Sequence, residues 1–174
     1  MKDLLKQYQA KPLGEKKRYA VFLPLILVND DWHILYEVRS QYVSQPGEVS
    51  FPGGRVESQE TLQEAAVRET VEELTVDASQ IQIWGEIDYL VQSSRTIHCF
   101  VGQLIIDDWK SIQPNEEVDR IFTVPLRQLL VTDPVYYRLE AAPIETTDFP
   151  FDRIRNGKDY QFSQQYRSCL LYTS

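Results

Sequence analysis

Apolar residues run almost unbroken from Tyr19 to Val28 (YAVFLPLILV). The run is rich in β-formers and too short for a buried helix of usual length, so it reads as a central strand covered on both faces. Pro24 cannot donate to a ladder, which predicts an edge register or a bulge there. Asn29-Asp30-Asp31 reads as a turn. Trp32 to Arg39 (WHILYEVR) reads as the next strand, hairpinned with the first. Residues 40–50 (SQYVSQPGEVS) read as a loop that returns the chain to Phe51. Thr61 and Glu64 then show capping-box spacing, and a helix is expected from there to about Leu74. At about 100° per residue, Val67, Val71 and Leu74 cluster on one side of it and Glu69, Glu72 and Glu73 on the other. The apolar side can pack on a core while the acids line an opening.

The rest of the chain repeats the alternation more weakly. Ile81 to Val91 (IQIWGEIDYLV) and Thr96 to Ile106 (TIHCFVGQLII) read as an antiparallel pair joined by a turn, with Gly85 as a bulge. Trp84 and Tyr89 read as core or groove wall, and His33 and His98 as structural strand residues. Asp107 to Asn115 reads as a loop. Glu116 to Ile121 is a short polar piece before Phe122-Thr123-Val124, and Pro125 can start a helix over PLRQLL. Residues 132–157 carry turn chemistry and aromatics (Tyr136, Tyr137, Phe149, Phe151), and Lys158 to Phe162 reads as one more strand. Residues 1–17 are polar and read as a helix or frayed arm; residues 163–174 form an atypical tail. The order of strands, helix, strands and short helix predicts one α/β domain over residues 1–174, a mixed sheet with helices on both faces.

Composition narrows the setting. The chain has 174 residues, 43% hydrophobic and 25% charged, which suits one full core. A net charge of −8 argues against nucleic acid and anionic membrane surfaces as partners. Cys99 and Cys169 fit neither a metal-ligand spacing nor a disulfide framework, and we read both as reduced thiols in a cytoplasmic compartment. No apolar core of signal-peptide length opens the chain, and no apolar run reaches the roughly 18 residues of a membrane span. A Walker-type phosphate loop is absent.

The chemistry concentrates in Phe51 to Val76 (FPGGRVESQETLQEAAVRETVEELTV). Glu69, Glu72 and Glu73 are related by i, i+3 and i, i+4, so their carboxylates project from neighbouring turns and repel. A divalent cation reverses the sign of that interaction, because Mg²⁺ takes carboxylate and phosphate oxygens. Arg68 lies four residues after Glu64 and four before Glu72, able to pair with either and orient a carboxylate. Gly53 and Gly54 permit positive φ and close backbone approach, so one of their carbonyls can reach the same ion.

Gly54, Glu60, Arg68, Glu69, Glu72, Glu73 and Val76 stand in the register of the Nudix hydrolase motif, which this stretch resembles. Two positions depart. Thr70 replaces the usual aliphatic and can pack its methyl. Thr75 replaces the last glycine, from which we expect the chain to leave the helix without left-handed φ. The resemblance implies the Nudix fold, an α/β/α sandwich with a mixed sheet, and hydrolysis of a diphosphate joined to another group. It implies Mg²⁺ or Mn²⁺ held by Glu69, Glu72, Glu73 and the Gly54 backbone. Glu117, outside the helix, is a further ligand or base candidate, since an acid near this point in the family can approach the metals. Catalytic candidates are Glu69, Glu73, Arg68 and Glu117, with the general base left open between Glu69 and Glu117. Candidates for contact with substrate are Arg39, Ser40, Gly53, Gly54, Arg55 and Arg95, with Gln45 a weaker one.

The flanks resemble the coenzyme A pyrophosphatase subfamily. Its signature runs Leu-Leu-Thr, any residue, Arg, Ser or Ala, then a spaced second Arg, a Gly and Phe-Pro-Gly-Gly. Leu35, Arg39, Ser40, Gly47 and Phe51 to Gly54 match. Tyr36 and Glu37 replace the second Leu and the Thr, Ser44 stands in place of the second Arg, and the loop before Gly47 is one residue short. Likeness extends over roughly Tyr19 to Phe162, through YAVFLPL, WGEIDYL, NEEVDRIFTVPLRQLL and FDRIRNGKDYQF. It implies cleavage of coenzyme A or an acyl-CoA to 3′,5′-ADP and a 4′-phosphopantetheine product. The alternatives are an ADP-ribose or NADH pyrophosphatase, or a catalytically silent ligand-binding module. Where the subfamily continues into a Trp-Gly segment and a terminal helix, this chain has QYRSCLLYTS, which reads as a truncated or divergent C-terminus. A missing helix there would uncover an apolar patch. The partner expected is a small nucleotide; the folds resembled often pair, which allows a homodimer.

Overall fold

In the computed structural model, the residues described are 17–92 and 94–133, with the backbone of 136–141 and 165–170. Strand β1 (Lys17–Val28) turns at Asn29 and Asp30, both at positive φ (51° and 63°), into β2 (Asp31–Arg39). That pair of left-handed residues suits the right-handed twist of a tight hairpin. Two short strands, β3 (Val49–Ser50) and β4 (Gly53–Arg55), precede helix α1 (Leu62–Leu74). Then come β5 (Ile81–Val91), β6 (Arg95–Leu104), β7 (Val118–Pro125) and helix α2 (Leu126–Val131). These form a mixed seven-stranded sheet, with β1 and β6 parallel and every other pair antiparallel. Two further strands, β8 (Tyr136–Ala141) and β9 (Gln165–Leu170), pair antiparallel with each other in a separate sheet. The chain up to Leu130 makes one compact unit and the chain from Val131 a second. No helix of the described residues is long and apolar enough to cross a membrane.

The sheet does not close between its first two strands. One edge of β1, from Lys17 to Leu25, is occupied by β6. The other edge takes β4 at Tyr19–Val21 and β2 only at Leu25–Val28. Strand β2 pairs with β1 through Asp31–Ile34, then with β3 at Glu37 and Val38. Strands β1 and β2 therefore part after one turn of hairpin, and the β3–β4 segment fills the split. The Phe22 N–H donates to the Pro52 carbonyl at 2.8 Å across it. Pro24 lies at the point where β1 changes partner. Alternate N–H groups leave a strand from the same edge, so its missing donor faces the split, as Phe22 does. The register with β6 runs through Pro24 unbroken, so of the two expected alternatives the edge position holds and the bulge does not.

The core lies between α1 and the sheet. Ala20, Phe22 and Ile26 of β1 and Leu35 of β2 meet Ala65, Ala66 and Leu74 of α1, with Phe100 and Leu104 of β6. Side chains such as Phe22 and Leu35 are 0% exposed, and full burial contributes roughly 1.5–3 kcal/mol each. The capping box forms as its spacing predicts: the Thr61 N–H donates to Glu64 Oε2 at 2.7 Å, and the Glu64 N–H to Thr61 Oγ1 at 3.2 Å. Thr70 is fully buried, its hydroxyl donating to the Ala66 carbonyl at 2.7 Å. The Gly85 bulge is present as well, as a register shift between Ile83 and Gly85.

Several expectations need correction. Thr75 caps α1 in the left-handed region (φ 55°, ψ 43°), so the chain leaves the helix through the very conformation its β-branch disfavours. The buried face of α1 is Ala65, Ala66, Thr70, Glu73 and Leu74, whereas Val67 and Val71 are only half-buried. The inward face thus carries one of the acids. Residues 118–121, read as part of a polar piece, belong to β7; pairing with β2 holds them, and only Val118 among them is buried. Residues 136–141, read as turns, form β8. Trp84 and Tyr89, read as core or groove wall, lie 52% and 57% exposed on β5, which excludes the core alternative. Of the arm expected over residues 1–17, Lys17 belongs to β1 and the rest lies outside the described residues, as does the expected strand at Lys158–Phe162.

Candidate active site at the split in the sheet

The glycine turn is pinned into the split by contacts only glycine allows. Gly53 has φ 152°, and a Cβ there would run into the Ala20 carbonyl and Val21 of β1. A Cβ on Gly54 would overlap the Glu69 carboxylate. The turn and the inner face of α1 are consequently in contact, and the Gly53 N–H donates to Glu73 Oε2 at 2.7 Å. The next loop reaches the same place, since the Asn115 N–H donates to the Glu73 carbonyl at 2.8 Å. Glu117 follows, and its backbone carbonyl accepts from the Ser40 N–H at 2.8 Å.

Arg68 ties Glu60, Glu69 and Glu72 together. Its Nη2 meets Glu60 Oε1 at 2.9 Å and the Arg55 carbonyl at 3.2 Å. Its Nη1 meets Glu69 Oε1 at 3.0 Å and Glu72 Oε2 at 3.2 Å. Of the two partners its spacing allowed, Arg68 takes Glu72 and not Glu64, because Glu64 is occupied by the cap of α1. Glu60 is the partner that i, i+4 reasoning passes over: it lies before the helix and reaches Arg68 only once the loop folds back.

The electrostatics separate inner acids from outer ones. The Glu73 carboxyl is 4% exposed and is pushed up to about 8, first by burial and then by the charge of Glu37. Burial also raises Glu69, with the charges of Glu72 and Glu117 adding to the effect. Glu37 on β2 is 1% exposed and raised by burial, then by Glu117 and Glu69. Its Oε1 accepts from the Ser50 hydroxyl at 2.9 Å, and its Oε2 is buried with no partner among the described residues. Glu37 was not among the residues singled out from sequence. Its one signal there was a departure, a glutamate where the resembled signature has threonine.

The fold therefore brings together Glu69, Glu72, Glu73, Arg68, Gly53, Gly54 and Glu117, with Glu60 and Glu37 added. The other candidates touch this cluster only through backbone, at the Ser40 N–H and the Arg55 carbonyl, and their side chains have partners elsewhere or face solvent. The Arg39 Nε donates to the Ser44 carbonyl at 2.7 Å. Ser40 is buried, with its hydroxyl accepting from the Tyr42 N–H at 3.3 Å. The Arg55 residue is exposed, and Gln45 bonds Glu48 at 2.9 Å. Arg95 donates to Gln92 at 2.6 Å and lies over the Tyr19 ring. His33 and His98 meet Thr123 and Glu86. Cys99 is an unpaired thiol that burial pushes up to about 11.

Among the described residues no three His, Cys, Asp or Glu side chains are set as a ready cation cage. Two features nevertheless fit a cation. A carboxylate oxygen is buried without a donor at Glu37, and the Gly54 backbone lies against the Glu69 carboxylate where any side chain would intrude. Hard divalent cations take such carboxylate and carbonyl oxygens.

A glycine turn wedged into a split mixed sheet and delivered to an acidic helix defines a recognisable class. Residues 16–143 match the NUDIX domain family, and the chain belongs to it. Its fold is accordingly an α/β Nudix fold whose mixed sheet is not fully closed and is flanked by helices. The chain is similar to Nudix hydrolase 3 of Caenorhabditis elegans, 35% identical over 118 residues, covering 64% of this chain and 48% of that protein. It is also similar to the mitochondrial coenzyme A diphosphatase NUDT8 of Mus musculus, 33% identical over 139 residues, covering 75% of this chain and 65% of that protein. Among solved structures, the Nudix hydrolase RenU from M. smegmatis shares the fold with a TM-score of 0.56 at 20% identity, over 70% of this chain and 77% of that one. The chain spans about half to two-thirds of the length of these curated relatives.

Proposed function

We propose that this chain hydrolyses the diphosphate linkage of a nucleoside diphosphate derivative, with coenzyme A or an acyl-CoA as substrate. The products would be 3′,5′-ADP and a 4′-phosphopantetheine derivative. The observation that carries the reading is the burial of Glu69 and Glu73 against the Gly53-Gly54 turn, in a chain similar to a coenzyme A diphosphatase. Burying mutually repelling carboxylates is costly unless something compensates the charge.

In this reading Glu69, Glu72, Glu73 and the Gly54 carbonyl hold Mg²⁺ or Mn²⁺, and Glu117 approaches from the loop before β7. The ion supplies charge neutralisation of the diphosphate and a more acidic bound water. Arg68 holds Glu69 and Glu72 in position while itself anchored by Glu60. Gly53 fixes the Glu73 carboxylate through its N–H. Either Glu69 or Glu117 takes a proton from the attacking water, since a general base must lie within hydrogen-bond reach. Arg39, Arg55 and Arg95 are the candidate cations for the remaining phosphates, and Ser40 is the candidate hydroxyl.

A second reading has one observation in its favour. Ser44 replaces the second signature arginine, and its backbone carbonyl takes the Arg39 side chain. That arrangement suits a substrate with fewer phosphates, such as ADP-ribose or NADH. Coenzyme A, acetyl-CoA, ADP-ribose, NADH and diadenosine polyphosphates should be assayed with Mg²⁺ and Mn²⁺. Release of 3′,5′-ADP as the preferred product supports the first reading, and preferred turnover of ADP-ribose or NADH supports the second. Tight ligand binding by folded protein without turnover of any substrate would make the chain a binding module. Ser44→Arg should raise the preference for coenzyme A over ADP-ribose; an unchanged ratio would sink that role for the position.

A further inference from the structure

We propose that Glu37 contributes its Oε2 as an additional carboxylate ligand to the divalent cation, reaching it from strand β2. This rests on the cation site argued above.

The argument begins with an energetic anomaly. Leaving a buried acceptor without a donor is expensive, and more so when it is charged. Glu37 is among the most enclosed side chains of the described residues, yet one of its oxygens has no partner there. Its position is set by three strands: β2 carries it, β3 places Ser50 beside it, and β7 flanks it at Ile121. Ser50 satisfies Oε1 and leaves Oε2 without a donor.

The neighbours identify what Oε2 would meet. Charges acting on Glu37 include those of Glu117 and Glu69, and Glu37 is the leading charge acting on Glu73. Arg39 also acts on it, but that guanidinium is turned to the Ser44 carbonyl. A buried carboxylate within reach of the charges of Glu69, Glu73 and Glu117, without a cation from the chain bonded to its second oxygen, has the chemistry of a hard-cation ligand. A plain structural role would be served equally by the threonine of the resembled signature, which can bond Ser50 without charge.

The test uses Mn²⁺ as the probe. Binding is measured by electron paramagnetic resonance on the full chain, its Glu37→Gln and Glu37→Thr variants, together with the Mn²⁺-induced rise in Tm. Both variants should weaken Mn²⁺ binding at least ~10-fold and shrink the induced rise in Tm. Crystals of the unaltered protein soaked in MnCl₂ should show an anomalous peak within about 2.5 Å of Glu37 Oε2, a result that needs no variant to fold. A peak on the α1 carboxylates but out of ligand distance from Oε2, or affinity within threefold of the parent in both variants, overturns the proposal while leaving the cation site standing. Failure of the unaltered protein to bind Mn²⁺ at all overturns both.

Discussion

Two groups of glutamates bracket helix α1 and are treated in opposite ways. At its entry, Glu60 and Glu64 are held below the ordinary carboxylate range by hydrogen bonds, Glu60 first by those to Arg68 and Glu64 by those to Thr61. One to three turns further on, Glu69 and Glu73 are pushed above that range by burial, together with Glu37 across the split. The first group helps to build the helix. The second opposes folding and is retained where the glycine turn approaches. Sites that cost stability in this way are where binding chemistry is expected.

That contrast can be broken most severely at Glu73. Glu73→Gln keeps the size and the Gly53 contact but removes the charge, and should lower turnover of the preferred substrate by at least roughly 100-fold. Circular dichroism should show the fold intact; turnover within threefold of the parent would defeat the assignment.

The second expected effect is on stability, read in chelator so that the carboxylates face one another alone. A carboxyl raised in the folded state binds its proton more tightly there than in the unfolded chain. Its favourable contribution is therefore complete below the ordinary value near 4.5 and is lost as pH rises towards about 8. Unfolding free energy should fall across that window by an amount on the order of a few kcal/mol. Glu73→Gln should flatten the profile; equal slopes in both proteins would contradict the burial argument.

Gly54→Ala sharpens the comparison from the backbone side. The added methyl must displace the Glu69 carboxylate, and misplacing a reacting group should cost roughly 10- to 100-fold in kcat/KM. Unfolding midpoints should move much less, and a variant with parental kcat/KM would show that this contact does not position Glu69. The smallest effect belongs to the entry group. Thr61→Ala removes half of the capping box and should cost about 1 kcal/mol, lowering Tm by about 2–4 °C. Its kcat should match the parent, since the acids of the inner face are untouched; a large fall in kcat would mean that the two groups are not separable.

The sequence alone carried everything encoded by short spacing. The cap at Thr61 and Glu64, the hairpin at Asn29 and Asp30, the bulge at Gly85 and the acid triplet on α1 are interactions among residues a few positions apart. So was the family, because the glycine turn and helix form one contiguous stretch. Tertiary structure decided the rest. Strand β7 is held by its ladder to β2, not by apolar alternation. Thr75 adopts left-handed φ at a helix end whose local chemistry argued against it. Which side of α1 turns inward depended on where the split in the sheet lies, and that burial gave Glu73 its altered affinity for a proton. Glu37 became visible only when strands far apart in sequence closed over it, since burial and the lack of a partner are properties of an enclosing environment and not of a residue in a chain.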